Sequence, residues 1–348
     1  MKVAILSLYS GHSERGVEVW AESLKKAVGN ECEVKIFGNT KIAIDWEKPD
    51  LRGKFVRNFL LDYWSILVAR FTFSVLSDIS KFKPDIIIPT NGGWQALIIR
   101  IYSWFFGKKM IIVGHAGIGG DEFWNLLCFP DTFVALSSHA AKWARKKNPF
   151  IRVVTIPNGV WLSDFSETGK RISLSLEHPI YLYVGAIESG KRPSLVIEAV
   201  SKLQKGSLLM LGQGEKKLEV EVDYFGREML GDRYKRLVVK HSDISRYYRT
   251  ADVFTLPTWS QEAFGMVYLE AMASGLPVVT TDDPIKREII GEAGIFVDPT
   301  NIENYSQALE ECVHRTWGRL PRTLAEKFSW DEVAIKYIHL FRSISKYD

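Results

Sequence analysis

Short, uncharged, β-branched runs alternate with amphipathic stretches in this chain, and the alternation happens twice. KVAILSL, EVKIF, PDIIIP, KMIIVGH, TFVALS and RVVTIPNGV fill the first half, separated by helical patterns such as GVEVWAESLKKAV, a long region from about 53 to 80, WQALIIRIYSWFF and HAAKWARKK. Strands without charge that are joined by helices predict a parallel sheet covered on both faces. From Asp164 to Pro179 the pattern lapses into the polar, turn-rich DFSETGKRISLSLEHP. It restarts at PIYLYVGAI and continues through SLLMLGQG, RLVVKH, DVFTLPT, LPVVTT and GIFVDP. At 348 residues the chain exceeds one core of ordinary size. The expectation is α/β, with two doubly wound Rossmann-like domains at 1–164 and 180–328, a linker at 165–179, and strand-end crevices that face across one cleft. The tail FSWDEVAIKYIHLFRSI puts Phe328, Val333, Tyr337, Ile338 and Phe341 near one stripe. It predicts an amphipathic helix over 329–348 that packs back towards the first domain.

Composition narrows the function. Residues 1–170 hold 22 Lys and Arg against 16 Asp and Glu, so the net charge of +4 originates in the first half. These cations are scattered and lack a stacking motif, which disfavours nucleic acid. Cys32, Cys128 and Cys312 are odd in number and widely spaced, against both a disulfide framework and a zinc site. The expected compartment is the cytoplasm, with attachment to a membrane surface at most, because the longest apolar stretches are interrupted and no leader pattern is evident. Gly11 and Gly16, five apart, do not make the GxGxxG of a dinucleotide oxidoreductase.

Residues 262–279, EAFGMVYLEAMASGLPVV, follow a strand and open a helix at about Met266. Gly265 lets the backbone approach a ligand, and the amides of Gly265, Met266 and Val267 begin a helix whose positive end suits a diphosphate. Glu262 and Glu270 flank that point. Acids beside an anion site are best used accepting hydrogen bonds from neutral hydroxyls, and a nucleoside-diphosphate sugar carries hydroxyls on both sides of its pyrophosphate. The pattern Glu262, Phe264-Gly265, Glu270 through Ala273, Gly275 and Pro277 through Val279 resembles the E-x7-E signature of retaining glycosyltransferases of the GT-B fold, family 4 type. The resemblance implies that Glu262 meets the donor sugar and Glu270 the ribose.

The resemblance extends along the chain. SERGVEVWAESL is similar to the family's glycine-rich turn, with Gly16 near the donor phosphates. VGHAGIGGDEF places His115 where the family often has a histidine reaching the donor sugar. IPNGVWLSDF resembles the family's stretch at the domain boundary, with Trp161 standing where Asp is usual. YVGAIESGKRPSLVIEAV resembles the start of the nucleotide-binding domain, with Lys191 at the phosphate-clamping position, Ala186 where an Arg is usual, and Arg192 available to replace that charge. LMLGQGEKK is similar to a Gly-Asp-Gly loop and reads more simply as a tight turn. His241 to Ile244 lie where the family's loop meets the donor base through backbone groups. TTDDPIKREII has Asp282 and Asp283 where the family usually has Gly-Gly.

No D-x-D stands in the sequence, and the acids of EVEVDYF read as a solvated face, so no metal is expected. Leaving-group charge then falls to Lys191, Arg192 and the helix start near Gly265. The implied reaction moves a sugar with retention from a UDP-, GDP- or ADP-sugar to a glycan, lipid-linked or small-molecule acceptor. It proceeds either by a same-face route or by double displacement with Glu262 as nucleophile. RIYSWFFGKK and the region Trp64 to Phe73 offer amphipathic surfaces for anionic lipid, against a plain core reading of the same aromatics. The alternatives of another class are a sugar-nucleotide epimerase and a catalytically impaired nucleotide-sugar-binding protein of the same fold.

Overall fold

The structure, a computed structural model, describes residues 1–12, 16–45, 48, 59–259 and 262–345. Part of the expected helical region 53–80, residues 53–58, lies outside the described residues, as do Ser13–Arg15 of the glycine-rich turn and Ser260–Gln261 before the signature helix. The chain divides into two compact units, Met1–Asn158 with Trp330–Asp348, and Gly159–Ser329.

The first unit holds six parallel strands, β1 (Lys2–Leu6), β2 (Glu33–Phe37), β3 (Ile86–Pro89), β4 (Lys109–Val113), β5 (Thr132–Ala135) and β6 (Val153–Thr155), in the order β2-β1-β3-β4-β5-β6. Val3 stands opposite both Val34 and Ile86, so β-branched side chains stack across the sheet centre, where burial on both faces favours them. Helices Tyr63–Phe82, Gly93–Phe105, Gly120–Leu127 and Ser138–Lys147 pack side by side as one layer. Helix Gly16–Val28 packs instead with the tail helix Trp330–Ser345, through Trp20 against Tyr337. The tail helix buries Val333, Tyr337 and Phe341 together with Trp330, Leu340 and Ile344, while Ile338 is half-exposed. Phe328 lies outside this helix and packs on Phe264 in the second unit.

The second unit repeats the plan with β7 (Ile180–Val184), β8 (Ser207–Leu211), β9 (Tyr234–Leu237), β10 (Val253–Thr255), β11 (Val278–Thr281) and β12 (Gly294–Val297) in the order β12-β11-β10-β7-β8-β9. The chain changes winding direction between β7 and β10. In open α/β sheets that switch point is where ligands bind, because the loops leaving the two strands diverge. The polar stretch 165–179 is part of this unit. Phe165 is buried against His241 and Tyr248, and the Arg249 guanidinium donates to the carbonyls of Ser166 and Lys170. Arg322 in turn holds the carbonyls of Leu162, Phe165 and Ala273. A buried aromatic and two arginine clamps bind the stretch down despite its polar composition. EVEVDYF differs from its sequence reading in the same way. It lies in helix Lys216–Leu230, where Glu219 and Asp223 both pair with Arg236 and Asp223 accepts from the Tyr234 hydroxyl.

Candidate active site

Two loops meet at the switch point of the second unit. The first leaves β7 and passes very close to the loop leaving β8: a Cβ at Gly212 would lie 1.9 Å from the Gly185 carbonyl oxygen, and one at Gly214 would lie 2.0 Å from that of Ile187. The glycines of LMLGQG are thus required for two backbones to pass, a reason other than the tight turn that their spacing suggests. The Tyr183 hydroxyl donates to the Ala186 carbonyl and fixes the loop from below. A single 3₁₀ turn, Ser189–Lys191, then delivers Lys191, and Arg192 follows in the left-handed region at φ 51° before Pro193 starts the next helix.

The second loop leaves β10. Its Trp259 amide donates to the Gly190 carbonyl, the Arg192 guanidinium lies 5.7 Å from the Trp259 ring centroid, and the Glu262 carboxylate accepts from the Lys191 ammonium. Gly265 is left-handed at φ 81°, and a Cβ there would stand 2.5 Å from the Tyr268 ring, so conformation and space both demand glycine. Helix Met266–Ala273 starts immediately after, and its first amides have no acceptor within the helix. Met266 and Val267 are half-buried there. Phe264 is 2% exposed and packs on Phe328, so only its backbone remains to meet a ligand. Ile244 similarly buries its side chain at the start of helix Ile244–Tyr248.

Glu270 is 6% exposed. One carboxylate oxygen accepts from the Tyr248 hydroxyl at 2.9 Å and the other stands 3.4 Å from His241 Nε2. Burial, reinforced by this carboxylate, holds the Tyr248 hydroxyl protonated well above the ordinary tyrosine range. Glu270 is therefore oriented by its own protein.

The two aspartates in the Gly-Gly position do not add bare negative charge. Asp283 caps helix Pro284–Ile290, accepting from the amides of Ile285 and Lys286, and pairs with the Lys286 ammonium at 2.5 Å. Lys286 is fully buried, and its ammonium also donates to the Thr258 carbonyl beneath the second loop. Burial lowers the Lys286 pKa, and the contact with Asp283 opposes that shift. Asp282 takes a two-pronged bond from Arg287. Glu262, Asp283 and Asp282 are each matched by a cation, and among the described residues no carboxylate hydrogen-bonds to Arg192, whose charge is felt by Asp298. Among the described residues no group of three His, Cys, Asp or Glu is placed to hold a metal.

Lys191, Arg192, Ile244, Glu262, Phe264 to Val267 and Glu270 thus share the second unit, while Gly16 and His115 belong to the first. Gly16 is exposed at the start of helix Gly16–Val28. His115 follows β4, and its ring packs edge-on against Trp20 at 4.6 Å. Burial pushes its pKa down to about 3, so it is neutral, and its Nε2 is enclosed without a hydrogen-bond partner among the described residues. It borders a cavity of about 80 Å³ that also receives Asn125 and Glu122.

Sequence reasoning missed Tyr248, Trp259, Lys286, Glu122 and Asn125. Asp283 and Lys286 at i, i+3 carried a detectable helix-pair signal. Tyr248 and Trp259 carried none, since their roles depend on which loop they face.

Residues 165–327 match the sequence model of the family described as Glycosyl transferases group 1. A D-inositol 3-phosphate glycosyltransferase of Paenarthrobacter aurescens (strain TC1) is 30% identical over 215 residues, covering 55% of this chain and 52% of that protein. The chain spans about half the length of the curated relatives it matches. Among solved structures, sucrose-phosphate synthase from Thermosynechococcus elongatus superposes with a TM-score of 0.81 at 19% identity, covering 100% of both chains. Anabaena HepE, solved in complex with UDP and glucose, gives 0.75 at 15% identity, covering 99% of this chain and 100% of that one. The architecture is the GT-B arrangement of those structures, two Rossmann-like α/β units with parallel sheets.

Proposed function

From the match of residues 165–327 to the glycosyl transferases group 1 model, we propose the transfer of a glycosyl group from a nucleoside-diphosphate sugar to a hydroxyl acceptor, with retention at the anomeric carbon and without a metal ion. The observation that carries this reading is the meeting of Lys191, Arg192 and Glu262 with the helix start at Gly265, all at the switch point of one sheet. Lys191, Arg192 and the first amides of Met266–Ala273 receive the diphosphate, and Glu270, held by Tyr248, receives the ribose hydroxyls. Ala186 leaves one cation fewer than the family pattern, and Arg192, beside Trp259 at the same loop, is the residue placed to supply it. His115, neutral at all working pH values, is suited to hydrogen-bond a sugar hydroxyl rather than a phosphate.

A carboxylate already engaged by an ammonium is a weakened nucleophile, so the Glu262–Lys191 pair supports the same-face route. The anomeric carbon–oxygen bond to the diphosphate breaks, the acceptor oxygen bonds to the same face, and the acceptor proton passes to the departing phosphate oxygen. No protein base is needed. Glu262 then holds a donor hydroxyl and stabilises positive charge at the sugar ring.

A surface feature bears on where the reaction occurs. The helical layer of the first unit exposes Phe73, Ile101, Trp104 and Phe105, with Phe105 82% exposed, and Arg70, Lys142 and Lys146 lie on helices of that layer. Aromatic and basic side chains on one layer suit an anionic bilayer surface and a lipid-linked acceptor. No described helix is long and apolar enough to cross a membrane. The three cysteines are buried and unpaired, which accords with a reducing compartment such as the cytoplasm. Cosedimentation with phosphatidylglycerol vesicles but not phosphatidylcholine vesicles, weakened by Trp104→Ser with Phe105→Ser, is the expected result.

The test of the reaction is a metal-free thermal-shift screen of UDP-, GDP- and ADP-sugars. A donor at 100 times its dissociation constant adds roughly 2.7 kcal/mol of stability, and Glu270→Ala weakens the response. Binding without transfer to any acceptor would favour the impaired binding protein, and release of an epimerised sugar nucleotide would favour the epimerase.

A further inference from the structure

Beneath the loop that leaves β10 lies an ion pair that the donor reading does not use. Lys286 is 1% exposed and Asp283 7%. The pair stands at the start of helix Pro284–Ile290, and its ammonium reaches out of that helix to the Thr258 carbonyl at 3.1 Å. The Asp283 carboxylate accepts from the same ammonium and from the amides of Ile285 and Lys286, so the charge of Lys286 is fixed in place. A buried ion pair adds little net stability over an apolar pair of similar volume. Its position under a donor loop points to a role other than stability.

The Thr258 carbonyl belongs to the same peptide group as the Trp259 amide, and that amide donates to the Gly190 carbonyl at 3.1 Å. This peptide is trans, so its C=O and N–H point to opposite sides of the loop. It therefore bridges Lys286 on one side and Gly190 on the other. Gly190 is the middle residue of the turn Ser189–Lys191. Glu262 follows Trp259 on the second loop, and its amide lies 3.4 Å from the Trp259 carbonyl. A line of polar groups thus runs from a buried ammonium, through one peptide, to the turn that carries Lys191, and its middle link leads into the segment that carries Glu262.

Two further observations strengthen this link. The Thr281 hydroxyl on β11 also donates to the Thr258 carbonyl, at 2.8 Å, and Thr258 is buried, so a low dielectric polarises the peptide that both bonds end on. Glu262 attracts the Lys286 charge and Lys191 opposes it, so both members of the Lys191–Glu262 pair feel the buried cation.

We propose that Lys286 is a positioning residue for the transfer reaction, holding the loops that carry Lys191 and Glu262 in register through the Thr258–Trp259 peptide. The proposal rests on the glycosyl-transfer reading of those two loops. Lys286 touches no donor atom and acts through its neighbours. A diphosphate that engages Lys191 draws this cation from Glu262, and Lys286, enclosed beneath the loop, keeps a positive charge behind the carboxylate.

The full chain is first assayed for release of nucleoside diphosphate from UDP-glucose, GDP-mannose and ADP-glucose, with methyl hexosides or water as acceptor. Turnover supports the transfer reading; its absence with all three strikes that reading, and the exchange measurement below still decides the role of Lys286. The working variant is Lys286→Met with Asp283→Asn, which removes both charges, nearly keeps the volume and leaves a capping side chain at the helix start. Its urea midpoint stays at that of the wild type, whereas Lys286→Met alone strands a buried carboxylate and unfolds at lower urea. In the double variant kcat falls about tenfold to a hundredfold, as expected for misplaced reacting groups. Lys191 on its flexible stem still finds the phosphates, so the donor KM changes by less than about threefold. A double variant with wild-type stability and wild-type kcat would reduce the pair to a structural one and overturn the proposal, as would a loss confined to the donor KM. Hydrogen exchange in the donor-free wild type needs no variant: the Trp259 amide exchanges on the timescale of the β10 amides, and about tenfold faster or more in the double variant. Rapid exchange of that amide in the wild type would also overturn it.

Discussion

The two units carry the same sheet plan and place polar residues at the same end of it, yet they treat charge in opposite ways. Around the second unit's switch point three carboxylates are answered by cations, Glu262 by Lys191, Asp283 by Lys286 and Asp282 by Arg287, and Arg192 has no hydrogen-bonded carboxylate among the described residues. At the carboxyl ends of β3 and β4 the first unit instead buries Glu122 beside an amide and a neutral histidine, with no cation in the lining. One arrangement can meet an anion with cations, and the other offers only uncharged or acidic polar groups. The difference shows that a shared fold assigns positions while the loop residues assign chemistry.

Four substitutions can break or sharpen this contrast. Glu262→Ala should act most strongly, lowering transfer on the order of 10²–10³-fold in product formation, comparable to removing a group that stabilises transition-state charge. Intact transfer would remove Glu262 from the reaction. Next comes stability against pH through Glu122, whose carboxyl burial pushes up to about 7 from an ordinary 4.5. The folded state holds this proton more tightly than the unfolded chain, so the contribution is full below 4.5 and is lost as pH rises through 7. Over that window wild type should lose about 3 kcal/mol relative to Glu122→Gln, seen in urea midpoints at several pH values. A parallel pair of curves would mean that Glu122 is ionised and solvated in the fold. Lys191→Ala follows, costing donor binding about 1–3 kcal/mol, or roughly ten- to a hundredfold in Kd by calorimetry. Arg192→Ala should be smallest, about 1 kcal/mol, from a half-buried cation stacked on Trp259. An effect of Arg192→Ala larger than that of Lys191→Ala would show that Arg192 is the main phosphate clamp and not an auxiliary one.

The strands and their layering were legible because uncharged β-branched runs have few other ways to be buried, and the turn at Gly265 was legible because a glycine between a strand and a helix has a backbone reason. What the sequence hid was partnership. DFSETGKRISLSLEHP reads as a linker by composition, and Phe165, Arg249 and Arg322, distant in sequence, make it part of a domain. Asp282 and Asp283 read as bare charge because their neutralising Lys286 and Arg287 become neighbours only once Pro284–Ile290 is helical. Phe264, inside the signature, reads as a ligand contact and turns out to be core, since a side chain's direction at a loop is set by packing. Asn125 and Glu122 gave no signal in GGDEFWNLL, because a buried polar pocket is defined by the atoms that fail to find partners.

Hydrogen exchange, followed peptide by peptide, tests the division of labour most directly. A sugar nucleotide should slow exchange most strongly in 185–192 and 262–270. Protection of 89–94 and 113–125 by the nucleotide diphosphate, with 185–192 and 262–270 unchanged, would contradict the account.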